Sequence, residues 1–426
     1  MGRYAEAGSR RLLGSSPGAS GRTAAGLTRR SVMLGATGLV GGLATQVLGG
    51  TSQALAAGRR RRVRCTPGAL WRAAWKRGLV FGSSAATWQL EDAEYAALHA
   101  SEAAMLFTED DLLWYRLKPT PESDLDFSFG DQIVGFAEAN DQLVVGAHLV
   151  WDEGFGEGWT EEDLWGLSEQ EARDLLFGTA TALVQHYRGR VAAWIAANEV
   201  TSPEGVDGFR TDVSWYETIG PSYVSEIFHL AHEHDPDAVL VLNEFGFETV
   251  NEFGDRPEHR RRATLQVIDT LLDEGVPVHA LGVQAHLLAD RFAQRFNTHT
   301  YRRFLADVAA RGLHILVTEL DVLDDGLSAD PTVRDQAVAD VYRRYLDVAL
   351  DEPAVKAVLT FGLSDRYTWL QEDFPREDGA PRRPLPYDDQ LKPKPAYDAL
   401  LTSLKNAVPR SPLWQLRRST RTARGG

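Results

Sequence analysis

The 426-residue chain holds one cysteine, Cys65, so no disulfide can close within it and no thiolate cluster can hold a metal. It has no basic excess either: 45 lysines and arginines stand against 60 aspartates and glutamates, a formal charge of −15. Such a surface repels nucleic acid and anionic lipid and suits a neutral or cationic substrate. Long apolar runs are missing as well. The N-terminal run at 31–48 is under ~20 residues and interrupted by glycines, which is marginal for a bilayer span. No internal repeat is visible, and Gly82-Ser83-Ser84 does not supply the Gly-rich phosphate loop of a dinucleotide-binding open sheet. What is present, 43% hydrophobic and 25% charged residues, is enough to bury a sizeable core, so disorder is expected only at the termini.

The N-terminus reads as an address. Thr28-Arg29-Arg30-Ser31-Val32-Met33 opens a Gly- and Ala-rich run that ends in Ala54-Leu55-Ala56-Ala57. Paired arginines, a weak apolar core and a small-residue end match a twin-arginine export signal over 1–56, cleaved after Ala56. The expected location is then periplasmic or extracellular, with no membrane attachment after cleavage. The segment carries six arginines against Glu6, so the remainder is more acidic than the whole. Residues 57–67, with Arg59 to Arg62 and Arg64, read as a basic flexible segment, 68–406 as one catalytic domain, and 407–426 as a basic disordered tail.

The stretch 312–324, GLHILVTELDVLD, organises the domain. Leu313 to Val317 is dense in Leu, Ile and Val between Gly312 and the turn signal Asp324-Asp325-Gly326, as in a strand buried on both faces. A buried strand has little use for Glu319 at its carboxyl end unless that end opens into a site, although a lone glutamate there is more often a cap or an ion-pair partner. A second apolar run, 191–200, ends in Asn198-Glu199. Two strand-terminal glutamates are what a two-carboxylate glycosidase needs, one to protonate the leaving oxygen and one to attack the anomeric carbon. The 11 tryptophans suit sugar stacking but are weak evidence, since most tryptophans are core. Strand-like runs recur at 79–83, 104–107, 143–150, 192–197, 239–242, 280–284, 314–317 and 356–361. Helical spacing fills the gaps, notably at 169–187, 223–234, 260–274, 301–311 and 335–350, with a last helix at 395–404. Eight alternations predict an α/β fold, a (β/α)₈ TIM barrel with Glu199 ending the fourth strand and Glu319 the seventh.

With these residues in place the chain resembles glycoside hydrolase family 10, the retaining endo-β-1,4-xylanases, from about 79 to 404. The likeness rests on motifs in the family's order: Leu149-Val150-Trp151, Asn198-Glu199, Trp215 to Gly220, Asp235 to Ala238, Asn243-Glu244-Phe245, Gln284-Ala285-His286-Leu287, Thr318 to Val322 and Lys392 to Tyr397. The resemblance implies Glu319 as nucleophile, ionised at working pH, with His286 donating to it. It implies Glu199 as general acid and then base, holding a proton until the glycosyl-enzyme removes the charge of Glu319. Asn198 would hold the sugar 2-hydroxyl, Trp151 and Trp369 would wall the sugar, and Glu109, Asp110 and Gln284 would complete the substrate contacts. No cofactor or metal is implied. The substrate would be a β-linked polysaccharide or oligosaccharide.

Several positions depart from the family pattern. In Glu109-Asp110-Asp111-Leu112-Leu113-Trp114, Asp110 stands for an asparagine and Leu113 for a lysine. Ala147 replaces a sugar-contacting histidine, Asp152 a second histidine, and Phe361 a tryptophan. All fall on the side implied to bind the glycone. Missing hydrogen-bond donors change discrimination strongly. The expected glycone is therefore not a plain xylose chain but a substituted xylan, another β-linked glycan, or a glycoside whose bulky or cationic group faces Asp110 and Asp152. Two other readings stay open: a barrel that binds β-glycan without turnover, and a hydrolase of a different β-glycoside. A metal site on His229, His232 and His234 is weaker, because the barrel places that helix outside. Endo or exo action, oligomeric state, and closure of the loops at 154–158 and 373–383 are not legible.

Overall fold

Buried apolar runs become strands here because neither of their faces meets water. A computed structural model describes residues 69–415 apart from Glu252. Its eight parallel strands are β1 (Val80–Ala85), β2 (Met105–Thr108), β3 (Leu143–Gly146), β4 (Ala193–Asn198), β5 (Val239–Glu244), β6 (Ala280–Val283), β7 (His314–Leu323) and β8 (Val355–Thr360). They pair in chain order, and β8 pairs with both β7 and β1, which closes the barrel. A helix follows each strand: α1 (Ala93–Glu102), α2 (Ser128–Ala139), α3 (Glu169–His186), α4 (Ser222–His234), α5 (Pro257–Asp273), α6 (Thr298–Ala310), α7 (Pro331–Ala349) and α8 (Pro395–Asn406). One continuous core, with Phe81, Phe107, Ile195, Leu242, Leu281 and Val317 in it, joins barrel to helix layer. The eightfold alternation read from the sequence is the architecture observed.

Three differences have local causes. The third strand ends at Gly146 rather than running to 150: a cis peptide joins Ala147 to His148, and the chain rejoins β4 when Leu149 N donates to Ile195 O at 2.9 Å. The seventh strand runs on past Val317 to Leu323, because its second half pairs with an extra strand, His286–Leu288, in the register His286 to Asp321. Helices α6 and α7 begin earlier than their apolar spacing, since Asn297 and Asp330 cap their first backbone N–H groups.

The expected disorder from 407 onward is corrected for 407–415. Arg410 donates to Leu350 O, Glu352 O and Val355 O, and its own N–H bonds to Arg77 O at 2.9 Å. Trp414 Nε1 donates to Ala192 O at 3.3 Å. A guanidinium with several orphan carbonyls to serve holds this segment against the amino ends of the strands. The export signal, the segment 57–67 and residues 416–426 lie outside the described residues.

Candidate active site

The carboxyl ends of β4 and β7 bring Glu199 and Glu319 into one hydrogen-bonded network. Glu199 leaves β4 with φ 57°, a left-handed backbone uncommon for a non-glycine residue, and its N–H is held by Asn243 O at 3.0 Å. Its side chain is 4% exposed and takes the Gln284 amide on Oε1 at 2.9 Å and the Trp151 indole on Oε2 at 3.3 Å. Glu319 is 6% exposed, receives Asn243 Nδ2 at 2.7 Å, and lies 3.4 Å from His286 Nε2. Asn198 Oδ1 sits between them, accepting from Asn243 Nδ2 at 2.8 Å and from Gln284 Nε2 at 3.4 Å. With Oδ1 occupied, the Asn198 NH₂ is the group left to donate to a sugar hydroxyl.

His286 carries a charge that Glu319 can use. Burial works against that charge, but the carboxylates of Asp321 and then Glu319 outweigh it and hold the ring's ionisation well above that of free histidine. Nδ1 meets Asp321 Oδ1 at 2.8 Å, and the Trp369 indole donates to the other oxygen at 2.8 Å. Trp369 packs against the imidazole with ring centroids 5.2 Å apart. Seven expected site residues therefore meet: Glu199, Glu319, Asn198, Gln284, His286, Trp151 and Trp369. Asn243 was missed as a site residue, yet it donates to both Glu319 and Asn198. Its signal was the polar pair Asn243-Glu244 at a strand end, the same signal that marked Asn198-Glu199.

Glu109 and Asp110 belong to a separate network inside the wall of the site. Both oxygens of Glu109 are taken, by Ser84 Oγ at 2.6 Å and Gln89 Nε2 at 3.0 Å. Asp110 is 4% exposed and accepts the Trp88 indole N–H at 2.9 Å. Asp152 forms two 3.1 Å contacts with the guanidinium of Arg210, so its charge is already matched. Of the two carboxylates expected to face a cationic group, Asp152 is paired with Arg210, while Asp110 has Oδ2 on the indole and Oδ1 without a hydrogen-bond partner among the described residues. Leu113 and Ala147 are buried, and Phe361 packs against His286 at 5.7 Å and Trp369 at 6.0 Å.

Burial and then the charge of Asp110 push Glu109 up to about 8. The folded protein therefore holds a proton between about pH 4.5 and 8 that the unfolded chain releases, and the stability tied to it is present below that window and lost as pH rises through it. Glu109→Gln, which mimics the protonated form, should flatten this dependence. We expect its melting temperature to exceed the wild type's by about 2 °C or more at pH 9 and not at pH 4. Parallel melting curves across that range would count against the buried proton.

A family model described as glycosyl hydrolase family 10 matches residues 69–403. Endo-1,4-beta-xylanase B of Thermotoga neapolitana is 32% identical over 315 residues, 74% of this chain and 84% of that protein. Among solved structures, native xylanase 10B from Thermotoga maritima is 31% identical with a TM-score of 0.69, covering 79% of this chain and 98% of that one. Xylanase 10B from Thermotoga petrophila, solved with xylobiose, is 29% identical at the same TM-score, covering 79% and 97%.

Proposed function

The chain belongs to glycosyl hydrolase family 10, and from that membership we propose that it is a retaining hydrolase of β-1,4-xylosidic bonds, with Glu319 as nucleophile and Glu199 as acid and base. An oxygen of Glu319 attacks the anomeric carbon while Glu199 gives its proton to the departing glycosidic oxygen, leaving a glycosyl ester on Glu319. Water then gives a proton to Glu199 and attacks the same carbon, and the Glu319 carboxylate leaves. The carrying observation is the link between the two carboxylates: Asn243 donates to Glu319, Gln284 donates to Glu199, and both amides meet on Asn198 Oδ1. Asn243 Nδ2 and His286 Nε2 face the two oxygens of Glu319 and hold the carboxylate in place for attack and for its departure.

Proton NMR of the products from a xylo-oligosaccharide tests this. The β-anomer should appear first, with the α-anomer growing in only by mutarotation; α first would overturn the double displacement.

The glycone side supports a narrower statement. Leu113, Ala147 and Phe361 offer no polar atom to a sugar, so recognition there leans on apolar contact, and a plain xylose chain is not the preferred glycone. Cleavage of unsubstituted linear xylo-oligosaccharides at the rate of a typical relative would sink that part alone. Export rests on the Arg29-Arg30 motif. Cell fractionation of an Arg29→Lys/Arg30→Lys variant should find the protein retained inside, and unchanged export would refute the route.

A further inference from the structure

The one-turn helix Thr87–Leu90 follows β1 and faces the acidic run after β2 in reverse order. Gln89 donates to Glu109 at 3.0 Å, Trp88 to Asp110 at 2.9 Å, and Thr87 to Asp111 through N–H at 2.9 Å and Oγ1 at 2.7 Å. Three consecutive carboxylates thus hold three consecutive residues of one turn. Between the two flanking pairs stands an indole that is 44% exposed. Its ring also meets Tyr367, with centroids 5.6 Å apart and planes at 86°. Tyr367 is itself fixed, by its hydroxyl on Asp92 at 2.9 Å and its ring on Tyr95 at 4.9 Å.

A single exposed aromatic side chain is ordinary; one held by a hydrogen bond and a ring contact while nearly half of it stays exposed is preorganised to receive a flat apolar surface. The place matters as well. Trp88, Asp110 and Tyr367 follow β1, β2 and β8 at the barrel end that carries Glu199 and Glu319. Tyr367 lies two residues before Trp369, whose ring packs on His286 beside the nucleophile. The short segment after β8 thus touches both places: Trp369 packs on His286, and Tyr367 packs on Trp88.

We infer that Trp88 is the stacking platform of an additional glycone subsite, receiving a pyranose ring of a β-linked chain farther from the cleaved bond than the sugar Trp369 walls. This rests on the hydrolase reading above and deepens it: where hydrogen-bond donors have gone, a rigid indole supplies the binding. Asp110 is then a positioning residue for Trp88. Its place at the catalytic end of the barrel, against the segment that also carries Trp369, selects a sugar of the same chain as the occupant.

The test compares kcat/KM on an aryl β-xylobioside with that on xylohexaose, for wild type, Trp88→Ala and Trp88→Phe. Trp88→Ala should lose about tenfold more on xylohexaose than on the aryl glycoside, chiefly through KM, and Trp88→Phe should recover most of it. In the Glu319→Ala background, binding of xylohexaose should perturb tryptophan fluorescence less once Trp88 is Phe. Equal losses on both substrates would make Trp88 merely structural and overturn the subsite. A gain on xylohexaose in Trp88→Ala would show that the indole blocks the cleft, and would overturn it too. The wild-type rate on the aryl glycoside judges the hydrolase reading separately from the long-to-short ratio.

Discussion

Glu319→Ala should reduce kcat by about 10⁴-fold or more, because no other group can form the glycosyl ester and nothing replaces the charge that His286 and Asn243 are arranged around. Removing the carboxylate also leaves the His286 imidazolium facing Asp321 alone, so the variant should still fold: that ion pair, 2.8 Å long, does not involve Glu319. Glu199→Ala should cost about 10²–10⁴-fold on natural substrate, the usual worth of a general acid. It should cost far less in the first step on aryl glycosides with acidic phenols, which leave without help. Azide, which needs no general base, should then rescue Glu199→Ala and yield a β-glycosyl azide. Rescue of Glu319→Ala with a β-azide would exchange the two roles, whereas an α-azide from that variant would place azide where the Glu319 carboxylate attacks. No rescue of either, with folding intact by circular dichroism, would remove the covalent mechanism.

Much of this was legible because it depends on one dimension of the chain. Strand number follows from apolar runs and the turns between them, and strand-end glutamates stand out because a buried strand has no other use for charge. Trp151, Gln284 and His286 follow from motif order. Partner choice was less legible, since it is decided by residues far apart. Asp152 looks like a free carboxylate until Arg210, brought beside it by the loop after the strand Thr201–Val206, takes both its oxygens. Asp110 reads as a sugar ligand in the sequence, and the fold adds that one of its oxygens accepts the Trp88 indole N–H. In each case the residue was found and its partner was not. The same limit applies at 410, where an arginine in a polar tail gains its carbonyl partners only after the barrel has assembled.

Arg260, on α5, shows how such a partner can govern the site from behind. It is 3% exposed, donates to Glu244 Oε2 at 2.6 Å and to Thr201 O at 2.8 Å, and stacks on the Phe245 ring at 4.3 Å. Glu244, wholly buried, accepts Thr201 N–H at 2.7 Å. The pair thus grips the Thr201 peptide through both its carbonyl and its N–H, two residues after Glu199 adopts its positive φ. Burial pushes Glu244 up to about 7 against the pull of Arg260, so removing the arginine leaves a carboxyl that ionises harder still. Arg260→Leu should therefore destabilise the fold by about 3–5 kcal/mol, less at pH 5, where Glu244 can stay protonated, than at pH 8. Denaturant unfolding at the two pH values measures this, and an equal loss at both would contradict a stranded charge. The double variant Glu244→Leu/Arg260→Leu removes the stranded charge and should recover most of the stability. It should not recover kcat, because the Thr201 peptide would then have neither partner and the Glu199 carboxyl would lose its fixed position. A double variant with both stability and kcat restored would reduce the pair to packing; stability without turnover would assign it the placement of the general acid.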